Sequence, residues 1–332
     1  MDEHGFRTYL ESRNLEPEAI DRSVDVVKRF EHELGVGPAP RGIGGATADD
    51  VHRFAAVLVA GGDNTEENVL ALARHARFSG DREASVAWLE LFDGWDVPAN
   101  LARKLSELAG DDTREGVFAG LPVPPLGTPA AEKPVFTREL MDRLAAQVDP
   151  ETCRQALTSG LHFVPKEAFA AERERYLAAP DIDAFIADEH ERYIAYLSGL
   201  RDSGELYFSQ PITAAVVEYV RQTPTCGPGV REGPVVRVTK IPYMADRYLA
   251  EEDETRKRYF ACHCMWARES LLHPEVRVPP LLCQCSAGFE KQYWDAVLDQ
   301  PVEVDVVRSA LQGDPVCEFA VHLPEDVVPA DG

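Results

Sequence analysis

Residues 259–293 read YFACHCMWARESLLHPEVRVPPLLCQCSAGFEKQY and contain four of the chain's seven cysteines. These form two Cys-x-Cys pairs, Cys262 with Cys264 and Cys283 with Cys285, and 18 residues separate the pairs. Alternate side chains of a β-strand point to the same face, so each pair in an extended segment presents two sulfurs to one point. The spacing therefore predicts a site where all four sulfurs converge.

Such a site favours a metal ion. Four thiolates in a closed tetrahedron are the usual structural zinc arrangement, and sulfur ligands also suit Cu(I) and iron–sulfur clusters. We predict zinc held by Cys262, Cys264, Cys283 and Cys285. An iron–sulfur cluster is less favoured, because no further ligand spacing supports one.

A reactive thiol is the alternative interpretation of the same residues. Cys283 and Cys285 precede a helix predicted from Ser286, and the dipole and unpaired N–H groups of a helix start lower a thiol pKa. A thiolate at either position would be a catalytic nucleophile. Arg268 and Lys240 are then the predicted side chains that orient a carboxylate on the substrate.

Large side chains accompany these residues in the sequence. Tyr243 follows the segment that contains Lys240, and Trp266 follows the first cysteine pair. An aromatic-walled pocket reached by Lys240 or Arg268 would bind a small anionic or carboxylate-bearing molecule. We predict Tyr243 and Trp266 as ligand contacts.

Composition excludes some partners. The 332 residues carry a formal charge of −23, which would repel nucleic acid. No apolar run approaches the roughly 20 residues that cross a bilayer, and the acidic surface disfavours anionic membranes. The start of the chain, MDEHGFRTYLESRN, lacks the basic and apolar regions of a secretory signal, so we expect a cytoplasmic protein. The oligomeric state is not predicted.

The chain divides into two predicted domains. Residues 1–119 show apolar residues at helical spacing, with a break at 35–45 and a capping box at Thr47 and Asp50, and predict a helical bundle. Residues 120–134, GLPVPPLGTPAAEKP, predict a Pro-rich linker. Residues 135–332 begin with helices and continue with short β-branched runs, which predicts an α+β domain with a mostly antiparallel sheet and the cysteine-rich site.

Four strands are predicted in this second domain. They lie at residues 235–243, 259–264, 302–309 and 316–323, and Gln312-Gly313-Asp314 predicts the turn of a hairpin between the last two. The first Cys-x-Cys pair is therefore expected on a strand.

Two segments resemble known families. The sequence FRTYLESRNLEPEAIDRSVDVVKRFEHELG, followed by TADDVHRFAAVL, resembles the helical core-binding domain of tyrosine recombinases. That domain binds DNA with basic side chains, whereas acidic residues dominate in this segment. The resemblance thus implies a helical bundle without the DNA-binding activity.

The second resemblance covers most of the second domain. The segments REGPVVRVTKIPY, RYFACHCMWARE and LLCQCSAGFEKQYWDAVLDQPVEVDVVRSALQGDPVCEFAVHLP resemble an uncharacterised bacterial family related to L-2-amino-thiazoline-4-carboxylate hydrolases. More distantly they are similar to vinyl-reductase-type ligand-binding domains. The resemblance implies an antiparallel sheet packed on helices, and a pocket for small ligands beside a cysteine-bound metal.

Three functions remain open from the sequence. The first is a small-molecule enzyme, a hydrolase or a C–S or C–N bond-processing catalyst. The second is a zinc-stabilised ligand-binding module, and the third is a thiol or metal sensor. The family resemblance favours the enzyme.

Overall fold

The computed structural model describes residues 1–36 and 42–328. Its helices and two small antiparallel sheets confirm the predicted α+β fold with a helical N-terminal region. The chain forms two compact units. Unit 1 is Met1–Trp95 together with Val123–Lys133, and unit 2 is Asp96–Pro122 together with the chain from Pro134 onward.

This division differs from the predicted one. Within the expected linker, Leu126 is buried in the core of unit 1, and its carbonyl accepts a hydrogen bond of 2.9 Å from Asn64 Nδ2. The helices at Val97–Ala109 and Asp111–Phe118, expected in the first domain, pack in an apolar cluster of unit 2. A Pro-rich composition predicts irregular backbone, but it does not determine whether that backbone packs against a core.

Unit 1 is a bundle of helices, as predicted. Thr47 and Asp50 form the expected capping box. The predicted break after the second helix is partly described, by a short 3-10 turn at Ile43–Gly45, and residues 37–41 lie outside the described residues. The helices are α1 Glu3–Glu11, α2 Pro17–Val36, α3 Ala48–Gly61, α4 Glu66–Phe78 and α5 Arg82–Phe92.

Acid sensitivity is expected from one buried histidine of unit 1. His75 is 4% exposed, its ring packs edge-on against Phe6 at 4.9 Å, and burial lowers its pKa from 6.5 to about 4. The unfolded chain therefore binds a proton at higher pH than the native one, so the free energy of unfolding falls as pH decreases from 6.5 to 4. We expect His75→Phe to remove roughly 3 kcal/mol of that decrease in urea titrations at several pH values.

A surface histidine provides the control. His4→Gln, at an exposed position of α1, should retain the acid-side decrease of the wild-type protein. If His75→Phe and the wild-type protein lose stability equally between pH 6.5 and 4, His75 is not the group that titrates.

Unit 2 combines helices with the larger sheet. Its helices are α6 Val97–Ala109, α7 Asp111–Phe118, α8 Pro134–Gln147, α9 Pro150–Leu157, α10 Ala170–Ala178, α11 Ile182–Ser203, α12 Ala214–Gln222, α13 Ala245–Ala250, α14 Glu254–Ala261 and α15 Gln284–Leu298. Its strands are β1 Leu206–Tyr207, β2 Gln210–Pro211, β3 Val230–Glu232, β4 Val235–Thr239, β5 Glu303–Arg308 and β6 Glu318–His322.

The sheet follows the order β3-β4-β6-β5, with all neighbours antiparallel. Alternate residues of β4 and β6, such as Val236 and Phe319, face a core that includes Phe185 of α11 and Trp294 of α15. The predicted pairing of the last two strands is confirmed. Their connection is longer than the predicted tight turn, because a 3-10 turn at Ala310–Gln312 precedes Gly313.

The predicted strand at residues 259–264 is wrong. Helix α14 occupies Glu254–Ala261, and the Asp253 side chain caps it by accepting a hydrogen bond from the Arg256 N–H. Cys262 is the C-cap residue of this helix. The run Tyr259-Phe260 has strand-like composition, but the capped, charged turn before it forms a helix that ends at Ala261.

A close backbone approach fixes the position of α15. A Cβ atom at Gly288 would lie 2.8–2.9 Å from backbone atoms of Thr158, the C-cap residue of α9. Because backbone cannot rotate away, we expect Gly288→Ala to destabilise the protein by roughly 1–3 kcal/mol in urea unfolding.

Gly199 of α11 provides the matched control. A Cβ atom there would meet nothing within 4 Å, so Gly199→Ala should stabilise the helix by about 0.5–1 kcal/mol. Equal stability of the two alanine variants would contradict the packing of α15 on α9.

Candidate functional site

The two Cys-x-Cys pairs lie on helix ends and turns. Cys262 follows α14, Cys283 ends a 3-10 turn at Pro280–Cys283, and Cys285 lies in the first turn of α15. Cys285 is buried in the apolar cluster that contains Trp266, and Cys264 packs against the same cluster. Strand geometry therefore does not bring the two sulfurs of each pair to one face.

Burial raises the thiol pKa values, contrary to the lowering expected at a helix start. The pKa of Cys283 lies well above its usual range, first because of burial and then because of nearby Cys317. Burial, followed by neighbouring Cys264 and Cys317, raises the pKa of Cys262 in the same way. Near neutral pH these thiols are protonated, which disfavours a thiolate nucleophile.

The residues do not present the donor set that the zinc prediction requires. Among residues 1–36 and 42–328, no group of three or more His, Cys, Asp or Glu side chains could hold a metal ion. Zinc and iron–sulfur binding stay predictions from the cysteine spacing.

Lys240 lies at the centre of a polar cluster in unit 2. It follows the end of β4, and its Nζ donates a hydrogen bond of 2.8 Å to Ser286 Oγ of α15. Its Nζ also lies 3.7 Å from Oε1 of Glu290, and the two side chains are each 15% exposed. The Lys240 ammonium lies over the rings of Phe289 at 4.9 Å and Phe319 at 5.7 Å.

One face of α15 supplies four side chains of this cluster. Ser286, Phe289, Glu290 and Tyr293 follow at spacings of three, four and seven residues, so they lie on the same side of the helix. All four are of intermediate exposure, although the helix also carries fully buried residues such as Trp294. Burial raises the pKa of the Glu290 carboxyl, and Lys240 partly opposes that shift.

Two tyrosines complete the cluster. Tyr193 of α11 donates a hydrogen bond of 3.1 Å to the hydroxyl of Tyr207 on β1, and the Tyr193 ring fills the space beside Gly227. Burial raises the pKa of Tyr207 to about 12, and the carboxylate of Glu290 adds to that increase. We call the group Tyr193, Tyr207, Lys240, Ser286, Phe289, Glu290, Tyr293 and Phe319 the Lys240 cluster.

Several members of the Lys240 cluster combine two properties. Tyr193, Tyr207, Glu290 and Tyr293 retain partial solvent exposure, yet burial is the largest cause of the pKa shift of each. Protein atoms therefore surround these side chains on most sides, while part of each is exposed to solvent.

Arg268 and Tyr243 lie in a neighbouring, more deeply buried group. The Arg268 side chain is 2% exposed, and its guanidinium lies 4.7 Å from the ring centre of Tyr243 and 5.1 Å from that of Tyr259. His263 packs edge-on against Tyr243, and its Nε2 lies 2.6 Å from the carbonyl oxygen of Ile241. This placement gives Arg268 a packing role inside the fold.

Trp266 lies in an apolar environment. It is 3% exposed, and its ring centre is 5.7 Å from that of Phe136. Trp266 shares an apolar pocket with Leu140, Leu157 and Leu282. Of the four predicted substrate and ligand contacts, only Lys240 therefore lies beside the polar groups of α15.

Comparison with family models, with curated proteins and with solved structures found no match to the chain. The resemblances noted in the sequence thus stay predictions. In the part of the chain that the structure describes, no helix has both the length and the apolar character needed to cross a bilayer.

Proposed function

We propose that unit 2 binds a small molecule carrying a carboxylate group, with the carboxylate at Lys240. The observation that supports this most is the placement of the Lys240 ammonium. It is partly exposed, and it is oriented by Ser286 Oγ at 2.8 Å and Glu290 Oε1 at 3.7 Å. An ammonium has three N–H donors, so a ligand oxygen can bind beside these two neighbours.

The surroundings favour an apolar body on the ligand. Phe289 and Phe319 lie beneath the ammonium, and the charge of Glu290 acts on Tyr193 and Tyr207, whose hydroxyls are hydrogen-bonded to each other. Ligand pockets typically combine aromatic walls with a few placed polar groups. A monocarboxylate with an aromatic or aliphatic tail has this chemistry.

The experiment is a calorimetric titration of the full chain with 3-phenylpropanoate. We expect saturable binding of one equivalent, and no binding of 3-phenylpropanamide, which has the same shape without the charge. Equal binding of the acid and the amide would show that Lys240 does not select a carboxylate, and absence of binding by 3-phenylpropanoate would refute the proposal for this ligand class.

Hydrolysis is a second candidate, favoured by the position of Ser286. Its hydroxyl accepts a hydrogen bond from Lys240 and lies one helical turn before Glu290, whose carboxyl pKa is raised by burial. A serine hydroxyl and a carboxyl group one turn apart on one helix face are the residue types of a nucleophile and a general base. The candidate nucleophile therefore moves from Cys283 and Cys285 to Ser286.

One substitution distinguishes ligand binding from hydrolysis. Ser286→Ala should abolish hydrolysis of p-nitrophenyl 3-phenylpropanoate while leaving 3-phenylpropanoate binding within a few-fold of wild type. If hydrolysis persists in Ser286→Ala, Ser286 is not the nucleophile. In that case, or if the wild-type protein binds 3-phenylpropanoate without hydrolysing the ester, ligand binding is the function of this cluster.

A further inference from the structure

The Lys240 cluster contains its own counter-ion, which affects any carboxylate that binds there. Glu290 Oε1 lies 3.7 Å from Lys240 Nζ, so the pair already has one negative charge for one positive charge. A ligand carboxylate at Lys240 would place two carboxylates beside a single ammonium. Like charges in a partly buried site repel strongly, unless one of them takes up a proton.

The groups around Glu290 identify which carboxylate would be protonated. Lys240 reaches Glu290 from the end of β4 and is the cation that acts on it. From the other elements, Tyr193 of α11 and Tyr207 of β1 are influenced by the Glu290 charge, as is Tyr293 of α15 itself. These neutral hydroxyls do not replace the lost attraction to Lys240.

Charged groups from α10 and α11 are already paired with one another. Arg175 donates hydrogen bonds to both carboxylate oxygens of Glu189 and to Glu172, and this group acts on Tyr293. Among the described residues, Lys240 also acts on His263 and Cys317, whose pKa values are lowered and raised respectively, so both are neutral near pH 7. Glu290 is therefore the group that can neutralise the second negative charge.

We propose that Glu290 takes up one proton when a carboxylate occupies Lys240, so that the site binds its ligand as a carboxylate together with a proton. The proton comes from solvent. The protonated Glu290 then donates a hydrogen bond, while Lys240 pairs with the ligand. This makes Glu290 a specificity-determining residue: it favours monocarboxylates, whose charge one proton balances, over ligands with more negative charge.

The inference rests on the proposed function, and proton linkage gives it a quantitative form. Between the pKa of Glu290 in the free protein and its higher pKa in the complex, affinity for a carboxylate should fall about tenfold for each unit of pH, because each binding event consumes one proton. The ligand itself stays ionised above pH 6, so it contributes nothing to this slope.

The test is calorimetry with 3-phenylpropanoate at pH 6.5, 7.5 and 8.5, in pairs of buffers with different ionisation enthalpies. The wild-type protein should lose about tenfold in affinity per pH unit and take up close to one proton. Glu290→Gln, which keeps the size of the side chain, should bind with an affinity independent of pH and take up no proton. The control Glu275→Gln, at an exposed carboxylate, should retain the wild-type slope.

The outcomes separate the inference from the function on which it rests. Binding by the wild-type protein without pH dependence or proton uptake overturns the inference and leaves the proposed function intact, and so does a wild-type slope in Glu290→Gln. A circular dichroism spectrum identical to wild type establishes that Glu290→Gln is folded. No binding at any pH overturns both.

Discussion

Replacement of Arg268 is expected to destabilise unit 2 strongly. The guanidinium lies between the rings of Tyr243 and Tyr259, and its Nε is 3.6 Å from Oε1 of Glu269, which also accepts a hydrogen bond from the Tyr259 hydroxyl. Arg268→Met leaves Glu269 without this cation and should cost roughly 3–5 kcal/mol in urea unfolding, the range for breaking a buried ion pair.

Lysine should not restore the stability. A lysine ammonium is a compact point charge that cannot stack its plane between two rings, so Arg268→Lys should also unfold at lower urea concentration than wild type. The control is Arg256→Met, since this arginine is 64% exposed and pairs with Glu251 at the surface. It should change the free energy of unfolding by less than about 0.5 kcal/mol.

The sequence suggested a different role for Arg268, namely orientation of a substrate carboxylate. That role predicts Arg268→Met protein with wild-type stability and lost affinity for 3-phenylpropanoate. This result would contradict the packing role derived from the 2% exposure of the side chain.

Replacement of Lys240 should weaken ligand binding strongly and lower the free energy of unfolding only slightly. Lys240→Met removes the ammonium that we propose binds the ligand, and a hydrogen bond between charged groups contributes about 1.5–3 kcal/mol. Calorimetry should therefore show affinity for 3-phenylpropanoate reduced roughly 10- to 100-fold. The free energy of unfolding should change by only about 1–2 kcal/mol, because a carboxyl such as Glu290, whose pKa burial already raises, can take up a proton when its cation is removed.

Lys291 provides the matched control on the same helix. Its Nζ pairs with Asp295 at 2.7 Å, one turn along α15. Lys291→Met removes the same charge, so it should bind 3-phenylpropanoate as wild type does. Equal loss of affinity in both variants would indicate a general effect of net charge.

The helical elements were the part of the fold that the sequence predicted best. Thr47 and Asp50 cap α3 as expected, because a capping box requires only residues three apart in the chain. The strand at 259–264 was wrong, because local composition at Tyr259-Phe260 favours a strand while the cap at Asp253 starts a helix. The division into two units was not predicted correctly, because residues 123–133 belong to unit 1 and Leu126 is buried in its core. Composition does not encode such a long-range contact.

The candidate site was predicted only in part. Lys240 was identified, because it lies in the predicted strand at residues 235–243 and near aromatic residues in the sequence. Ser286 and Glu290 were missed, although they share a helix face with Phe289 and Tyr293. That pattern is ordinary for an amphipathic helix, and its meaning depends on Lys240, which is 46 residues from Ser286 in the chain. Tyr193 and Tyr207 come from still other elements, so no local signal connects them.

The central claim is that a ligand carboxylate binds at Lys240, and a crystal structure of the full chain with 3-phenylpropanoate tests it most directly. We expect a carboxylate oxygen at hydrogen-bonding distance from Lys240 Nζ, about 2.7–3.2 Å, with the phenyl ring against the aromatic side chains of the Lys240 cluster. A probe molecule bound elsewhere, with no ligand oxygen near Lys240 Nζ, would contradict this binding site.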